Sequence, residues 1–228
     1  MSSPTVPLSR ATAADWAELA KPRITTMVVF TTLVGFVTAS TSSPWTLVLA
    51  MALAGTGLVA AGASVLNQVI ERDTDALMLR TRTRPIPSGR IRPAEARAFG
   101  ALLTACGLVV LVGLCGPLAA AVAFATWASY LFAYTPLKRR TPLATLVGAV
   151  PGALPPVIGW AAARGSLDTG AFILFAILFL WQIPHFLAIA WLYRDDYARA
   201  GFRCCPCSTA RGRSRPGRRS CTAWPFCW

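Results

Sequence analysis

The side chains best suited to chemistry lie at residues 67–90, NQVIERDTDALMLRTRTRPIPSGR, where an apolar run gives way to acidic and then basic residues. If the helix continues past the apolar run, Asn67, Glu71 and Asp75 occupy positions i, i+4 and i+8 and share one face. Carboxylate and amide oxygens are the ligands that Mg²⁺ prefers, and waters and substrate phosphates complete its shell. The spacing therefore predicts a metal site that can receive a phosphate group.

Basic residues follow the acidic trio directly. They are Arg80, Arg82, Arg84 and Arg90. Guanidinium groups bind phosphate oxygens through paired N–H donors, so these arginines suit the remaining charge of the same phosphate. The connection that carries them is long and rich in proline for a link between helices, which favours a functional loop over a plain connector.

The chain is too apolar for a soluble domain of its length, since 55% of its 228 residues are hydrophobic and only 14% are charged. Six apolar stretches are long enough to cross a bilayer. They are residues 24–40, 46–70, 98–115, 117–134, 143–163 and 170–193. Backbone polar groups cannot stay unpaired in hydrocarbon, so these spans must be helices. The sequence predicts an all-α, polytopic transmembrane helical bundle.

The net charge of +13 is distributed in a way that argues against nucleic acid as a partner. With six spans, 21 of the 22 lysines and arginines fall on one side of the membrane, and Arg164 is alone on the other. The positive-inside rule makes the basic side cytoplasmic. We expect a multi-pass plasma-membrane protein with its N-terminus and motif loops in the cytoplasm and no nucleic-acid partner.

Other polar features flank the spans. Residues 1–23 predict a cytoplasmic segment that is either a short interfacial helix or a solvated leader. The basic cluster at 138–140 is either an anchor for the topology or part of the site. The fifth span contains Pro151, Pro155 and Pro156, and a helix interrupted in this way usually bends around a cavity.

The sixth span carries the only histidine of the chain, His185. Polar groups inside a membrane are costly, which favours a functional role, although a structural bond to a neighbouring helix is the alternative. Asp196 lies eleven residues further along, three helical turns away on nearly the same face. Both side chains can therefore line one cavity.

Four separated motifs resemble the UbiA-type prenyltransferases. The first is residues 67–90, and the others are YTPLKRRTP (134–142), GALPPVIGW (152–160) and WQIPHFLAIAWLYRDDYARAGF (181–202). The last three are similar to one branch, the protohaem IX farnesyltransferases or haem O synthases. The resemblance covers about residues 16–202. Ala144 departs from it, because many relatives carry Asn there.

The resemblance implies nine transmembrane helices around a cavity that opens to the cytoplasm. It also implies transfer of a farnesyl group from farnesyl diphosphate to a vinyl group of haem b within the lipid bilayer, with Mg²⁺ as cofactor, and it allows contact with a haem A synthase. Mg²⁺ and diphosphate would be held by Asn67, Glu71, Asp75 and Asp196. Substrate-binding residues would be Arg80, Arg84, Lys138, Arg139, Asp195 and Tyr134, and His185 would face the porphyrin.

The final residues differ in character from the rest. Residues 203–228 contain six arginines, five cysteines and no acid, with no helical or strand period. We divide the chain into a cytoplasmic segment (1–23), a transmembrane prenyltransferase domain (24–202) with six of nine expected helices, and a disordered, out-of-frame tail (203–228). An open cavity cannot exclude water, so the expectation for this chain is poor activity or none.

Several other functions stay open at this point. Within the family, the acceptor could be an aromatic acid or a quinone precursor, or the chain could be an inactive truncated paralogue. A membrane transporter also has broken helices, but its polar site would lie near the midplane. A haem-binding membrane protein without catalysis would use His185 and leave the 67–90 motif without a purpose.

Overall fold

The computed structural model describes residues 11–41, 46–138, 141 and 144–192, and in this part of the chain all regular structure is helical. The helices are α1 (Ala13–Leu19), α2 (Pro22–Ala39), α3 (Leu47–Ile70), α4 (Arg72–Asp75), α5 (Pro93–Cys115), α6 (Pro117–Ala128), a π-helix (Ser129–Tyr134), α7 (Thr135–Leu137), α8 (Ala144–Ala153), α9 (Pro155–Arg164) and α10 (Thr169–Leu192).

Six stretches of this architecture are long and apolar enough to cross a membrane. They are Pro22–Ala39, Leu47–Ile70, Pro93–Cys115, Pro117–Leu137, Ala144–Arg164 and Thr169–Ile189. Each coincides with a span expected from the sequence, which confirms the predicted all-α, polytopic bundle. The chain is therefore a multi-pass membrane protein.

Close helix packing holds the core of the bundle together. Helices α3 and α5 approach so tightly that a Cβ on Gly107 would lie 2.6 Å from the carbonyl oxygen of Gly55. A Cβ on Gly62 would lie 2.7 Å from the carbonyl oxygen of Gly100. Small residues allow this close approach. The van der Waals contacts that result stabilise the helix pair in lipid, where no hydrophobic driving force acts between helices. Helix α3, with the first motif at its C-terminal end, is thereby fixed in the bundle.

The fifth span is broken at Leu154, as Pro155 and Pro156 predict, whereas Pro151 lies inside α8 and does not end it. Helix α8 ends at Ala153, and α9 begins with Pro155 and Pro156. Proline lacks a backbone N–H, which disfavours it in a helix interior and suits it to the first turn of a new helix.

The fourth span changes its pitch near its end. Pro136 has no N–H, and its ring crowds the carbonyl four residues earlier, so the preceding turn widens. The Thr135 N–H accordingly bonds to the carbonyl of Tyr130, five residues back. This wide turn presents Tyr134 and the residues after it to the neighbouring helices, and such turns are frequent at functional sites.

Helix α1 docks on one end of the bundle, which confirms the short helix among the two alternatives for the N-terminal segment. Leu19 is fully buried against Val65, Val69 and Ile91. The Leu19 carbonyl also accepts a 2.8 Å hydrogen bond from the Gln68 side chain. We name this end of the bundle, with the C-terminal ends of α3 and α7 and the loop 76–92, the motif side.

Candidate active site

The site begins where α3 ends. Helix α3 stops at Ile70 and α4 forms one further turn, with a kink at Glu71, whose φ and ψ are −91° and 4°. The helical hydrogen bonds nevertheless continue through the kink, because the N–H of Glu71 donates to the carbonyl of Asn67 and the N–H of Asp75 donates to the carbonyl of Glu71. The predicted continuous helix is therefore bent, but backbone hydrogen bonds at i, i+4 spacing still link Asn67 to Glu71 and Glu71 to Asp75.

Asn67 and Glu71 lie together at the centre of the site. The Asn67 amide donates to Glu71 Oε2 over 2.9 Å, and Asn67 Oδ1 accepts from the Thr135 hydroxyl over 2.8 Å. Lys138 donates to Glu71 Oε1 over 3.0 Å, with both side chains mostly buried. The start of the first motif is thus joined to the end of the fourth span, 67 residues further along.

Lys138 keeps its positive charge in this place. Burial works against the charge, but the neighbouring Tyr134 and Glu71 outweigh that cost and raise the pKa of Lys138 above its ordinary value. Its ammonium lies 4.4 Å from the centre of the Tyr134 ring. The site therefore places a cation between a carboxylate and an aromatic face.

Asp75 forms a second ion pair. Arg84 of the loop 76–92 donates to Asp75 Oδ2 over 2.7 Å, and the Asp75 side chain is only 2% exposed. Thr81 donates to the Asp75 backbone carbonyl over 2.8 Å. The arginine loop is thereby folded back onto the acidic helix end, as the sequence of acid followed by base suggests.

Lys21, between α1 and α2, belongs to the same site. Burial, together with the positive charges of Arg84 and Lys138, lowers the pKa of Lys21 to about 8, and Glu71 and Asp75 partly offset this. No hydrogen bond or ion pair reaches its ammonium from the residues that the structure describes. Lys21 also has φ 47°, the one non-glycine residue with positive φ in the described ranges. Such strain costs about 1–3 kcal/mol and is concentrated at functional sites.

An aromatic row connects this cluster with α10. Tyr134 stacks on Tyr130 with a centroid distance of 5.8 Å and on Phe186 with 6.4 Å. His185 stacks on Trp181 at 4.8 Å and lies 6.0 Å from Phe186. His185 is exposed on α10, so it borders the site through aromatic rings and, of the described carboxylates, contacts neither Glu71 nor Asp75.

The predicted site residues therefore fall into three groups. The structure joins Asn67, Glu71, Lys138 and Tyr134 by direct contacts, and it pairs Asp75 with Arg84 within electrostatic range of the same Lys21. Arg80 lies exposed on the loop 76–92, and His185 lies in the part of the aromatic row that α10 contributes, between Phe186 and Trp181. Arg139, Asp195 and Asp196 lie outside the described residues, so their assignments stay predictions.

Lys21 and Thr135 are functional candidates that the sequence did not single out. The signal for Lys21 was a lysine directly before a proline at a membrane boundary, since a residue before proline avoids the helical region and turns the chain. Thr135 had a weaker signal, a hydroxyl next to Pro136. Thr135 contributes through its hydrogen bond to Asn67 of α3, and Lys21 through its electrostatic interaction with Glu71 and Asp75, all of them remote in sequence.

The donor set at this site suits a hard cation. Asn67 supplies an amide oxygen with a second lone pair, and Glu71 and Asp75 supply carboxylate oxygens. No cluster of three His, Cys, Asp or Glu side chains with metal-binding geometry occurs within the described ranges. Mg²⁺ rarely needs one, because one or two carboxylates hold it together with waters and substrate phosphates. The residues present therefore fit Mg²⁺ bound with a phosphorylated ligand.

Comparison with known proteins places this arrangement in a family. The profile of the UbiA prenyltransferase family matches residues 28–228. The protoheme IX farnesyltransferase of Solibacter usitatus is 49% identical over 201 residues, with 84% of this chain and 69% of that protein covered. That of Koribacter versatilis is 45% identical, with 94% and 72% covered. The matched profile includes residues 203–228, and the domain division at residue 202 stays a prediction.

Solved structures share the fold at much lower identity. A digeranylgeranylglyceryl phosphate synthase superposes with a TM-score of 0.72 at 18% identity, covering 86% of this chain and 68% of that one. A UbiA homologue from Archaeoglobus fulgidus, bound to GPP and Mg²⁺, gives 0.68 at 16% identity and covers 86% and 69%. Together with the family profile and the close relatives, these matches show that the chain belongs to the UbiA prenyltransferase family.

Proposed function

We propose that this prenyltransferase transfers a farnesyl group from farnesyl diphosphate to the vinyl group of protohaem IX, haem b, and so makes haem o. The observation that carries the proposal is its identity of 44–49% to several proteins named protoheme IX farnesyltransferase, over most of the chain. The charge arrangement at the motif side supports it, because carboxylates and cations meet beside an aromatic row.

Mg²⁺ is the proposed cofactor, with Asn67, Glu71 and Asp75 as ligands on this chain. When bound, it would neutralise charge on the diphosphate and so make it a better leaving group. Asp196, with Asp195 beside it, is proposed as the second acidic motif. Those two residues lie outside the described part of the chain.

The leaving diphosphate needs positive charge when the allylic C–O bond breaks. Lys138, Arg84 and Lys21 supply it from three different elements, and Arg80 and Arg139 are proposed as further contacts. Preorganised cations act most strongly where charge develops in the transition state, and at a site shielded from water they gain further strength. We therefore assign the main contribution of these residues to the step in which the C–O bond breaks.

The allylic cation forms next to this cluster. Tyr134 presents a π face there, since its ring borders Lys138 and stacks on Tyr130 and Phe186. Aromatic faces stabilise cations, and apolar surroundings keep water away until the vinyl carbon attacks. Formation of the new C–C bond leaves a carbocation on the former vinyl group, next to the porphyrin. A water molecule then adds to this carbocation and loses a proton, which leaves a hydroxyl group.

Orientation and partners follow from the same proposal. The motif side would face the cytoplasm, because it carries almost all basic residues of the chain. The membrane would be the plasma membrane, with haem b reaching the site from the bilayer. Contact with a haem A synthase stays a prediction.

Lys21 gives diphosphate binding a specific dependence on pH. Its pKa is lowered to about 8, so the ammonium is present below pH 8 and lost as the pH rises above it. Lys138 keeps its charge over this range because its pKa is raised. The affinity for farnesyl diphosphate should therefore fall between pH 7 and 9, as equilibrium binding can measure. Lys21→Arg should remove most of this fall, and identical profiles for the two chains would contradict the assignment.

His185 should matter for haem more than for diphosphate. In a His185→Ala variant we expect the KM for haem b to rise about tenfold, while the affinity for farnesyl diphosphate stays within about twofold. The reason is that His185 lies in the part of the aromatic row that α10 contributes and does not contact Glu71. Steady-state kinetics with each substrate varied in turn would measure both constants, and an equal loss for both substrates would count against a porphyrin role.

Acceptor choice is the experiment that tests the proposal against its nearest alternative. Membranes with the chain are supplied with radiolabelled farnesyl diphosphate, Mg²⁺ and either haem b or an aromatic acid. Label in haem with release of diphosphate supports the proposal, whereas label in the aromatic acid alone would move the chain to another branch of the family. Haem binding without any dependence on Mg²⁺ or diphosphate would favour a non-catalytic haem protein.

A further inference from the structure

We propose that Arg90 is a positioning residue that fixes two diphosphate cations, Lys21 and Arg84, relative to each other. The inference rests on the proposed function, because it concerns how the same site receives the diphosphate. Among the described acidic ligands, neither Arg90 nor its partner Asp15 contacts Glu71 or Asp75. Their effect would pass through the elements that carry the two cations.

Arg90 joins α1 to the loop 76–92. Its NH1 lies 2.8 Å from Asp15 Oδ1, and its NH2 lies 3.6 Å from Glu18 Oε2 on the same helix. The same guanidinium donates to the Thr83 carbonyl over 2.8 Å and to the Ser88 hydroxyl over 3.1 Å. A planar group with five donors in a fixed fork can bridge two elements rigidly in this way.

The loop side of this bridge leads directly to Arg84. The Ser88 hydroxyl, which accepts from Arg90, itself donates to the Arg84 carbonyl over 2.7 Å. The Ser88 N–H bonds to the same carbonyl over 3.0 Å. Arg90 therefore holds Ser88, and Ser88 in turn holds the backbone of Arg84.

The helix side leads to Lys21. Helix α1 has only seven residues and cannot be stable alone, so its position depends on what it docks against. Leu19 anchors its C-terminal end in the apolar cluster of the motif side, and Arg90 anchors its first turn through Asp15. Lys21 follows two residues after α1 in a left-handed conformation that the surroundings must maintain.

Asp15 is built for this contact. Its side chain is only 6% exposed, and hydrogen bonds from Thr12 and the charge of Arg90 hold the pKa of its carboxyl below the ordinary value. One carboxylate oxygen caps α1 by accepting from Thr12, and the other accepts from Arg90. An Asp15→Asn change keeps an oxygen for the cap but removes the charge that Arg90 pairs with.

The test is equilibrium binding of farnesyl diphosphate to the purified full chain in nanodiscs with Mg²⁺, which does not depend on the acceptor. We expect Arg90→Gln to weaken binding about five- to tenfold. The matched control is Arg92→Gln, because Arg92 lies on the same loop, is exposed and, among the residues that the structure describes, forms an ion pair with Glu95 alone. It should stay within about twofold of wild type. Thermal unfolding of each variant verifies that it is folded.

Asp15→Asn separates positioning from simple attraction between charges. It makes the chain more positive, so a pure field effect predicts tighter diphosphate binding. A positioning role predicts weaker binding, about as weak as in Arg90→Gln. Unchanged or tighter binding in a folded Asp15→Asn chain would overturn the proposal.

A double-mutant cycle with Lys21 tests the route of the effect. If Arg90 places both Lys21 and Arg84, its replacement should cost only part of its wild-type effect when Lys21 is already Met, and the rest should pass through Arg84. A full cost in that background would contradict the proposal. If the wild-type chain binds no farnesyl diphosphate at all, the proposed function fails first, and this outcome is distinct from normal binding with an unaffected Arg90→Gln variant.

Discussion

Replacing Glu71 with Gln is expected to lower kcat/KM for farnesyl transfer by about three orders of magnitude or more. Gln keeps the shape of the side chain and can still bond to Asn67, but it removes the charge that pairs with Lys138. It also removes the proposed carboxylate ligand of Mg²⁺, so the diphosphate loses the group that neutralises it. The loss should therefore appear in turnover and not in the insertion of the chain into the membrane.

Glu95→Gln is the matched control for this variant. Glu95 is also an acid near the motif side, but it pairs with the exposed Arg92 at the start of α5. Activity should stay close to that of wild type, and the amount of chain in the membrane fraction should be the same for both variants. Retained activity in Glu71→Gln would refute the metal assignment of the 67–90 motif.

Lys138→Met should reduce kcat about 100- to 1000-fold, with a much smaller rise in the KM for farnesyl diphosphate. The charge on the leaving diphosphate grows as the C–O bond breaks, so a cation fixed at that position contributes most in the transition state. The variant also leaves Glu71 in a partly buried place without its cationic partner. Single-turnover measurements at saturating substrate report the chemical step directly.

Arg97→Met removes one positive charge from an exposed position on α5 and serves as the control for general electrostatic attraction. A small loss there and a large loss in Lys138→Met would locate the effect at the leaving group. If Lys138→Met changed KM alone, Lys138 would be a binding residue that acts equally before and during the reaction.

The spans and the acidic centre could be predicted from sequence because both depend on local periodicity. Hydrophobic length defines six spans irrespective of how they pack, and Asn67, Glu71 and Asp75 fall at helical spacing even though the helix bends at Glu71. The break before Pro155 was equally local, since proline terminates a backbone ladder by its own chemistry.

The cations of the site were only partly predictable, because their roles depend on contacts between distant elements. Arg84 follows Asp75 by nine residues and was found, whereas Lys21 precedes Glu71 by fifty and reaches it only through the docking of α1. Nothing in the spacing of Arg90 distinguishes it from Arg82 before the ion pair with Asp15 is known. The pairing of His185 with Asp196 and the nature of residues 203–228 stay predictions.

The central claim is most directly tested by the product formed from haem b. Membranes with the 228-residue chain are incubated with haem b, farnesyl diphosphate and Mg²⁺. The haems are then separated by chromatography and identified by mass spectrometry. A second chain carries the corresponding C-terminal region of the Solibacter usitatus relative in place of residues 203–228. We predict that at least one of the two chains forms haem o and that this formation depends on farnesyl diphosphate, on Mg²⁺ and on Glu71. Unchanged haem b in both, with the farnesyl group found on another acceptor, would contradict it.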